Sequence, residues 1–297
     1  GLTFEIVPGV TSSIAAAAGA KTYLTKEDDV AVFDIDGSKY SNKVLDRENQ
    51  QYDRFIYDFD GSLNQSFEDA FYDEFPDLKN NRLWTYMLSA YMEFDTGADL
   101  SKLSSLDYYD DDDFGGDDLI ITNGFDKVTD YLGKDIDVRL NTRVTSIDYT
   151  DDKVRIQSSQ GSFKADYVVV SVPLGVLKKD IIAFTPSLPE EFQTAIGKLQ
   201  MGTVNKFICV WDKAFWDERL QYIGFTPETR GNFNYFLNVG KFTDAKALMT
   251  YSFGDFSVET ESMSDKEITT AIMEHLRAIY GNNVPAPQTM LRTKWNS

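Results

Sequence analysis

At 297 residues with 42% apolar side chains, the chain is long enough for two globular units, and no stretch approaches the ~18 consecutive apolar residues of a membrane helix. The net charge of −19 disfavours a nucleic-acid backbone as partner and favours small cations, although an acidic surface also serves solubility. One cysteine, Cys209, permits no intrachain disulfide or cysteine-based zinc site, and a Ser-His-Asp hydrolase would depend on the lone His275.

In chain order, Thr11 or Ser12 can cap a short helix that Gly19 stops. Val30 to Asp34 reads as a strand, with Asp36-Gly37 as the tight turn after it. Leu83, Trp84, Met87, Leu88 and Tyr91 recur at helical spacing. The dense acidic run from Asp110 to Asp118 lacks the ordered alternation and closing Glu of a calcium loop and reads as a solvated loop.

From Leu119 the pattern turns to strands: Leu119 to Thr122, Val138 to Leu140, Val144 to Tyr149, Val154 to Ser158 and Tyr167 to Val172. The last run alternates little, as expected of a strand covered on both faces. Pro189 opens a helix carrying Phe192, Ile196 and Leu199, and after Gly202 comes the strand Val204 to Trp211. A final helix begins at Ser264, whose partner Glu267 completes a capping box, and His275 flanks its apolar stripe.

Lys206 is the most informative position. In the strand Val204 to Trp211 it shares a face with Val204, Ile208 and Val210, while Phe207, Cys209 and Trp211 point the other way. A lysine among apolar groups either snorkels to water or sits desolvated, with a lowered pKa useful in catalysis.

The stretch ADYVVVSVPLGVLKKDIIAFTPSLPEEFQTAIGKLQMGTVNKFICVWDKAFWD, Ala165 to Asp217, resembles the flavin amine oxidases, among them the polyamine oxidases and lysine-specific histone demethylases. Three ordered segments carry the likeness: an AD-hydrophobic-VPLGVLK segment, an I-x-F-x-P-x-LP segment and a G-x-x-NK-strand-FW segment. LIITNGFDKVTDYL and IDVRLNTRVTSIDY extend it upstream, and VPAPQTMLRTKW extends it downstream.

The resemblance implies an α+β fold, an amine oxidase substrate-binding domain of mixed sheet and flanking helices joined to a partial, β-rich FAD-binding domain. Residues 1–118 and 179–291 would form the substrate domain, 119–178 the FAD-domain part, and 292–297 the start of a return to it. By the same resemblance Lys206 holds a water beside the flavin, the backbone of Val144 meets the adenine of FAD, and Pro173 and Leu174 pass near the cofactor. Glu93 and Phe94 match a pair lining the substrate tunnel of plant-type polyamine oxidases. The implied activity is oxidation of a primary or secondary, polyamine-like amine to an imine, with oxygen as the second substrate and hydrogen peroxide released.

No Gly-x-Gly-x-x-Gly follows a strand, so the pyrophosphate-binding turn is expected to lie outside these residues, and the chain alone is expected to be inactive. Its absence equally suits an amine-oxidase-like binding domain that has lost flavin. Gly1 is not an initiator methionine, which leaves the compartment open.

Overall fold

The structure, a computed structural model, describes residues 12–26, 29–62, 64–108 and 119–295. Thr11 and the acidic loop 110–118 lie outside the described residues. Two compact units are present: unit 1, Gly1–Tyr131 with Gly202–Ser297, and unit 2, Leu132–Met201.

Unit 1 begins with α1 (Ser12–Ala17), β1 (Thr22–Leu24), β2 (Val30–Phe33), α2 (Asn42–Asp58), α3 (Phe67–Glu74) and α4 (Arg82–Met87). A π-helical turn, Leu88–Glu93, continues α4 into α5 (Phe94–Thr96), and β3 (Leu119–Ile121) and α6 (Asp126–Leu132) follow. The helix starts are encoded locally. Ser41, Ser66 and Asn81 precede α2, α3 and α4, and each side chain accepts a backbone N–H that the helix cannot satisfy itself.

Unit 2 consists of β4 (Val144–Asp148), β5 (Val154–Ser158), β6 (Gly161–Ala165), α7 (Leu174–Lys178), β7 (Ala183–Thr185) and α8 (Glu190–Lys198). The chain then returns to unit 1 with β8 (Val204–Val210), β9 (Tyr222–Phe225), β10 (Asn232–Asn238), β11 (Ala247–Phe253), α9 (Gly254–Thr260), α10 (Asp265–Tyr280) and β12 (Thr289–Arg292). The Ser264–Glu267 capping box at the start of α10 is formed in both directions.

The centre of unit 1 is a six-stranded sheet in the order β12-β8-β11-β10-β9-β2, antiparallel except for the parallel pair β2 and β9. Strand alternation gives it two apolar faces. Phe207, Cys209, Trp211, Phe236 and Leu248 pack with Ile268, Ile272 and Leu276 of α10. Leu237, Met249, Tyr251 and Phe253 form the other face, joined by Val204, Ile208, Val210 and Phe94. A further aromatic core, Phe67, Phe71, Trp84 and Leu88, holds α3 against α4 and the π-helical turn.

The chain thus has the α+β fold with a mixed sheet and flanking helices, but two local expectations need correction. Tyr167 to Val172 is not a strand: it forms no sheet pairing, and Tyr167 and Val169 are about nine-tenths exposed. An apolar run becomes a strand only where a neighbour supplies ladder hydrogen bonds, and the sheet of unit 2, ordered β6-β5-β4-β7, contains none for it. Val138 to Leu140 is likewise irregular and exposed.

Compact packing places its own boundaries at 131/132 and 201/202. β3 pairs with β1, which keeps 119–131 in unit 1. β7 pairs in parallel with β4, which draws 179–201 into unit 2.

Candidate functional site

Lys206 lies in the middle of β8, hydrogen-bonded into the sheet on both sides. Opposite it on β11 stands Tyr251. On the other side its N–H donates to Thr293 Oγ1 at 2.9 Å, and its carbonyl accepts from Thr293 N at 3.1 Å. Burial along the strand alternates, with Asn205, Phe207 and Cys209 buried and Lys206 half-buried beside Val204 and Ile208. Lys206 therefore belongs to the face bearing Tyr251, Phe253 and Phe94, not to the face covered by α10.

That face is strongly aromatic. The Phe94 ring meets Tyr251 edge-on with centroids 5.1 Å apart and approaches Tyr235 and Phe253 at 5.8 and 5.9 Å. Tyr222 stacks on Tyr235 at 5.4 Å. Burial raises the phenol pKa of both Tyr235 and Tyr251, so these rings are neutral, rigid walls and not acids or bases near neutral pH.

Two glycines bring Phe94 onto this face. Gly97 ends α5 with φ 65°, in the left-handed region. A Cβ at Gly202 would lie 2.4 Å from the Thr96 carbonyl oxygen, so only glycine lets the chain before β8 pass so close to the end of α5. Thr203 N then donates to Gly97 O at 2.8 Å and locks the approach.

Glu93 does not face solvent; it is 3% exposed. Its Oε1 accepts from Arg230 Nε at 2.9 Å, and Arg230 Nη1 donates to Glu68 Oε1 at 2.7 Å. Burial pushes the Glu93 carboxyl above its ordinary range, and the neighbouring guanidinium works against that rise. Burial also opposes the charge of Arg230, but Glu93 and Glu68 more than offset it and raise its pKa. Sequence reasoning paired Glu93 with Phe94 but missed Arg230, whose only local signal is its place beside Gly231 in a turn between strands.

The remaining expected residues belong to unit 2. Val144 starts β4 opposite Ser158, where the β4–β5 register is irregular. Pro173 precedes the first turn of α7, and Leu174 opens that helix half-buried. His275 is the flank of the α10 stripe: its ring lies 4.7 Å from that of Phe225, and its Nδ1 is 3.1 Å from the Phe233 carbonyl oxygen. Burial lowers its pKa. Cys209 is enclosed in the sheet core, and burial pushes its thiol up to about 12, which leaves it unreactive. Among the described residues no group of acidic, histidine or cysteine side chains is arranged to hold a metal, and no helix is long and apolar enough to cross a membrane.

The candidate site is thus a half-buried lysine beside an aromatic wall on one face of the mixed sheet. The same fold is present in the structure of putrescine oxidase bound to putrescine, with a TM-score of 0.75 at 15% identity, covering 100% of this chain and 77% of that one.

The flavin containing amine oxidoreductase family matches residues 33–297, and the chain belongs to it. Its relatives include polyamine oxidase 2 of Arabidopsis thaliana, 30% identical over 280 residues, covering 90% of this chain and 56% of the relative. A lysine-specific histone demethylase 1 homolog of the same plant is 30% identical over 290 residues, covering 88% of this chain and 18% of the relative. The chain spans little more than half the length of the polyamine oxidase it matches.

Proposed function

We propose that this protein oxidises a primary or secondary, polyamine-like amine to an imine with FAD. The observation that carries this reading is the position of Lys206 on the aromatic face of the central sheet, in a chain belonging to a flavin family. When bound, FAD supplies the two-electron acceptor for the C–N oxidation, and oxygen restores it with release of hydrogen peroxide.

The residues fit a flavin in part. Lys206 suits a donor to a water at the reacting edge, and it is the family resemblance that assigns the backbone at Val144 and the turn at Pro173 and Leu174 to holding the cofactor. No Gly-x-Gly-x-x-Gly stands after a strand to cradle the pyrophosphate. The chain's own residues would act by orientation: Phe94, Tyr235 and Tyr251 exclude water from the amine carbon, and the Lys206 ammonium keeps one water in place to meet the imine.

The test is Lys206→Met in the FAD-loaded protein. The apolar chain of similar length preserves packing but removes the donor, so flavin reduction by amine is expected to slow about 10²-fold or more while flavin stays bound. Reduction at the wild-type rate in stopped flow would end the assignment of Lys206.

A further inference from the structure

Three distant segments meet at one guanidinium. Glu68 stands in the first turn of α3, Glu93 closes the π-helical turn, and Arg230 lies between β9 and β10, 162 and 137 residues from its two partners. The side chain of Glu93 is 4% exposed and that of Arg230 20%. Such a carboxylate is tolerated in the interior because it is paired, and the planar fork of arginine reaches two carboxylates at once, which the point charge of lysine does not. The Gly97 N–H donates to the Glu93 carbonyl at 2.8 Å, and the next residue after Glu93 is Phe94, so the ion pair sits one residue before a ring of the aromatic wall.

We propose that Arg230 is a positioning residue of the site: it clamps Glu93, thereby fixes Phe94 against Tyr251, and withdraws the Glu93 carboxylate from the groups available to a cationic substrate. The inference rests on the proposed amine oxidase reading for its catalytic part only. It replaces the expectation that Glu93 lines a substrate tunnel as a free carboxylate, because that charge is already matched within the protein. The charged and titratable groups facing Glu93 are Arg230 from the β9–β10 turn, Asp99 after α5 and, through Arg230, Glu68 and Tyr72 of α3.

Thermal unfolding between pH 5 and 8 of the wild type, Arg230→Lys, Arg230→Met and the double variant Arg230→Met with Glu93→Gln tests the pairing without any substrate. Arg230→Met is expected to lower the midpoint by about 6 to 10 °C at pH 8 and by less at pH 5, since an unpaired buried carboxyl is tolerated only when protonated. The double variant should recover at least half of that loss and lose the added pH dependence, and Arg230→Lys should fall between. Equal destabilisation of the single and double variants, with a wild-type pH profile in both, would overturn the ion pair.

In FAD-loaded protein the folded double variant should raise amine KM about tenfold, equally for mono- and diamines, with kcat within about twofold. An unchanged KM, or a loss confined to diamines, would overturn the positioning role. Failure of the wild type to oxidise any amine would count against the proposed function alone, because the unfolding series decides the pairing independently.

Discussion

The two units of this chain differ in what they bury and in what charge they carry. Unit 1 encloses a continuous set of aromatic and aliphatic side chains on both faces of its sheet, whereas in unit 2 only Ile147 and Ile182 are buried. Unit 2 contains nine acidic and nine basic side chains, so the whole net charge of −19 falls on unit 1. A stable core and an electrostatic field toward cations thus coincide in the unit that bears Lys206, Glu93 and Phe94. The unit bearing Val144, Pro173 and Leu174 is neutral and exposes Leu140, Tyr167 and Val169. Shared sheet architecture does not confer shared stability; enclosed apolar area does.

The sharpest way to break that contrast is amide hydrogen exchange. β8 and β11 should be protected by about three orders of magnitude or more over residues 167–172, which lack sheet partners. Comparable protection in the two segments would show that unit 2 has a core comparable with that of unit 1.

Substitution should follow the same division. Trp84→Ala removes a side chain that is 0% exposed and donates to Glu48 Oε2 at 2.8 Å, and should cost about 3 to 5 kcal/mol in denaturant unfolding. Val169→Ala, at a position 91% exposed, should change stability by less than about 0.5 kcal/mol. A large loss at Val169 would reveal packing that the exposed position does not provide.

A smaller effect concerns the field of unit 1. In FAD-loaded protein, kcat/KM for a dicationic diamine should fall roughly tenfold between about 20 and 300 mM salt, and less for a monoamine. Salt-independent kinetics would reduce the acidic surface to a solubility feature.

The smallest expected effect is the pH response of His275. Its folded pKa is depressed by burial below the ordinary 6.5, so the unfolded chain takes up the proton first as pH falls. Stability should be unaffected by this group above about pH 7, and lost progressively as pH drops through 6.5 toward the folded value. His275→Gln should flatten that part of a midpoint-versus-pH curve. An unchanged slope would assign the loss to other groups.

Much of unit 1 was readable directly from local pattern. The capping box before α10, the Asp36-Gly37 turn, with Gly37 at φ 81°, and the alternation that puts Lys206 with Val204 and Ile208 all depend on residues a few positions apart. The resemblance that points to flavin chemistry is equally a matter of ordered neighbours, and the family match covers the same stretch. What the sequence could not decide was pairing over distance. Tyr167 to Val172 has strand composition, yet a strand exists only with a partner, and its own sheet supplies none. Glu93 read as a carboxylate for substrate because nothing near it in the chain announces Arg230, 137 residues away. By itself the sequence determined the helix starts, the turns and the strand that carries Lys206, since dihedral preference, capping and periodicity are local. The tertiary structure alone decided which charges are already spent on each other, since desolvation and Coulomb energy depend on distance through space and not along the chain.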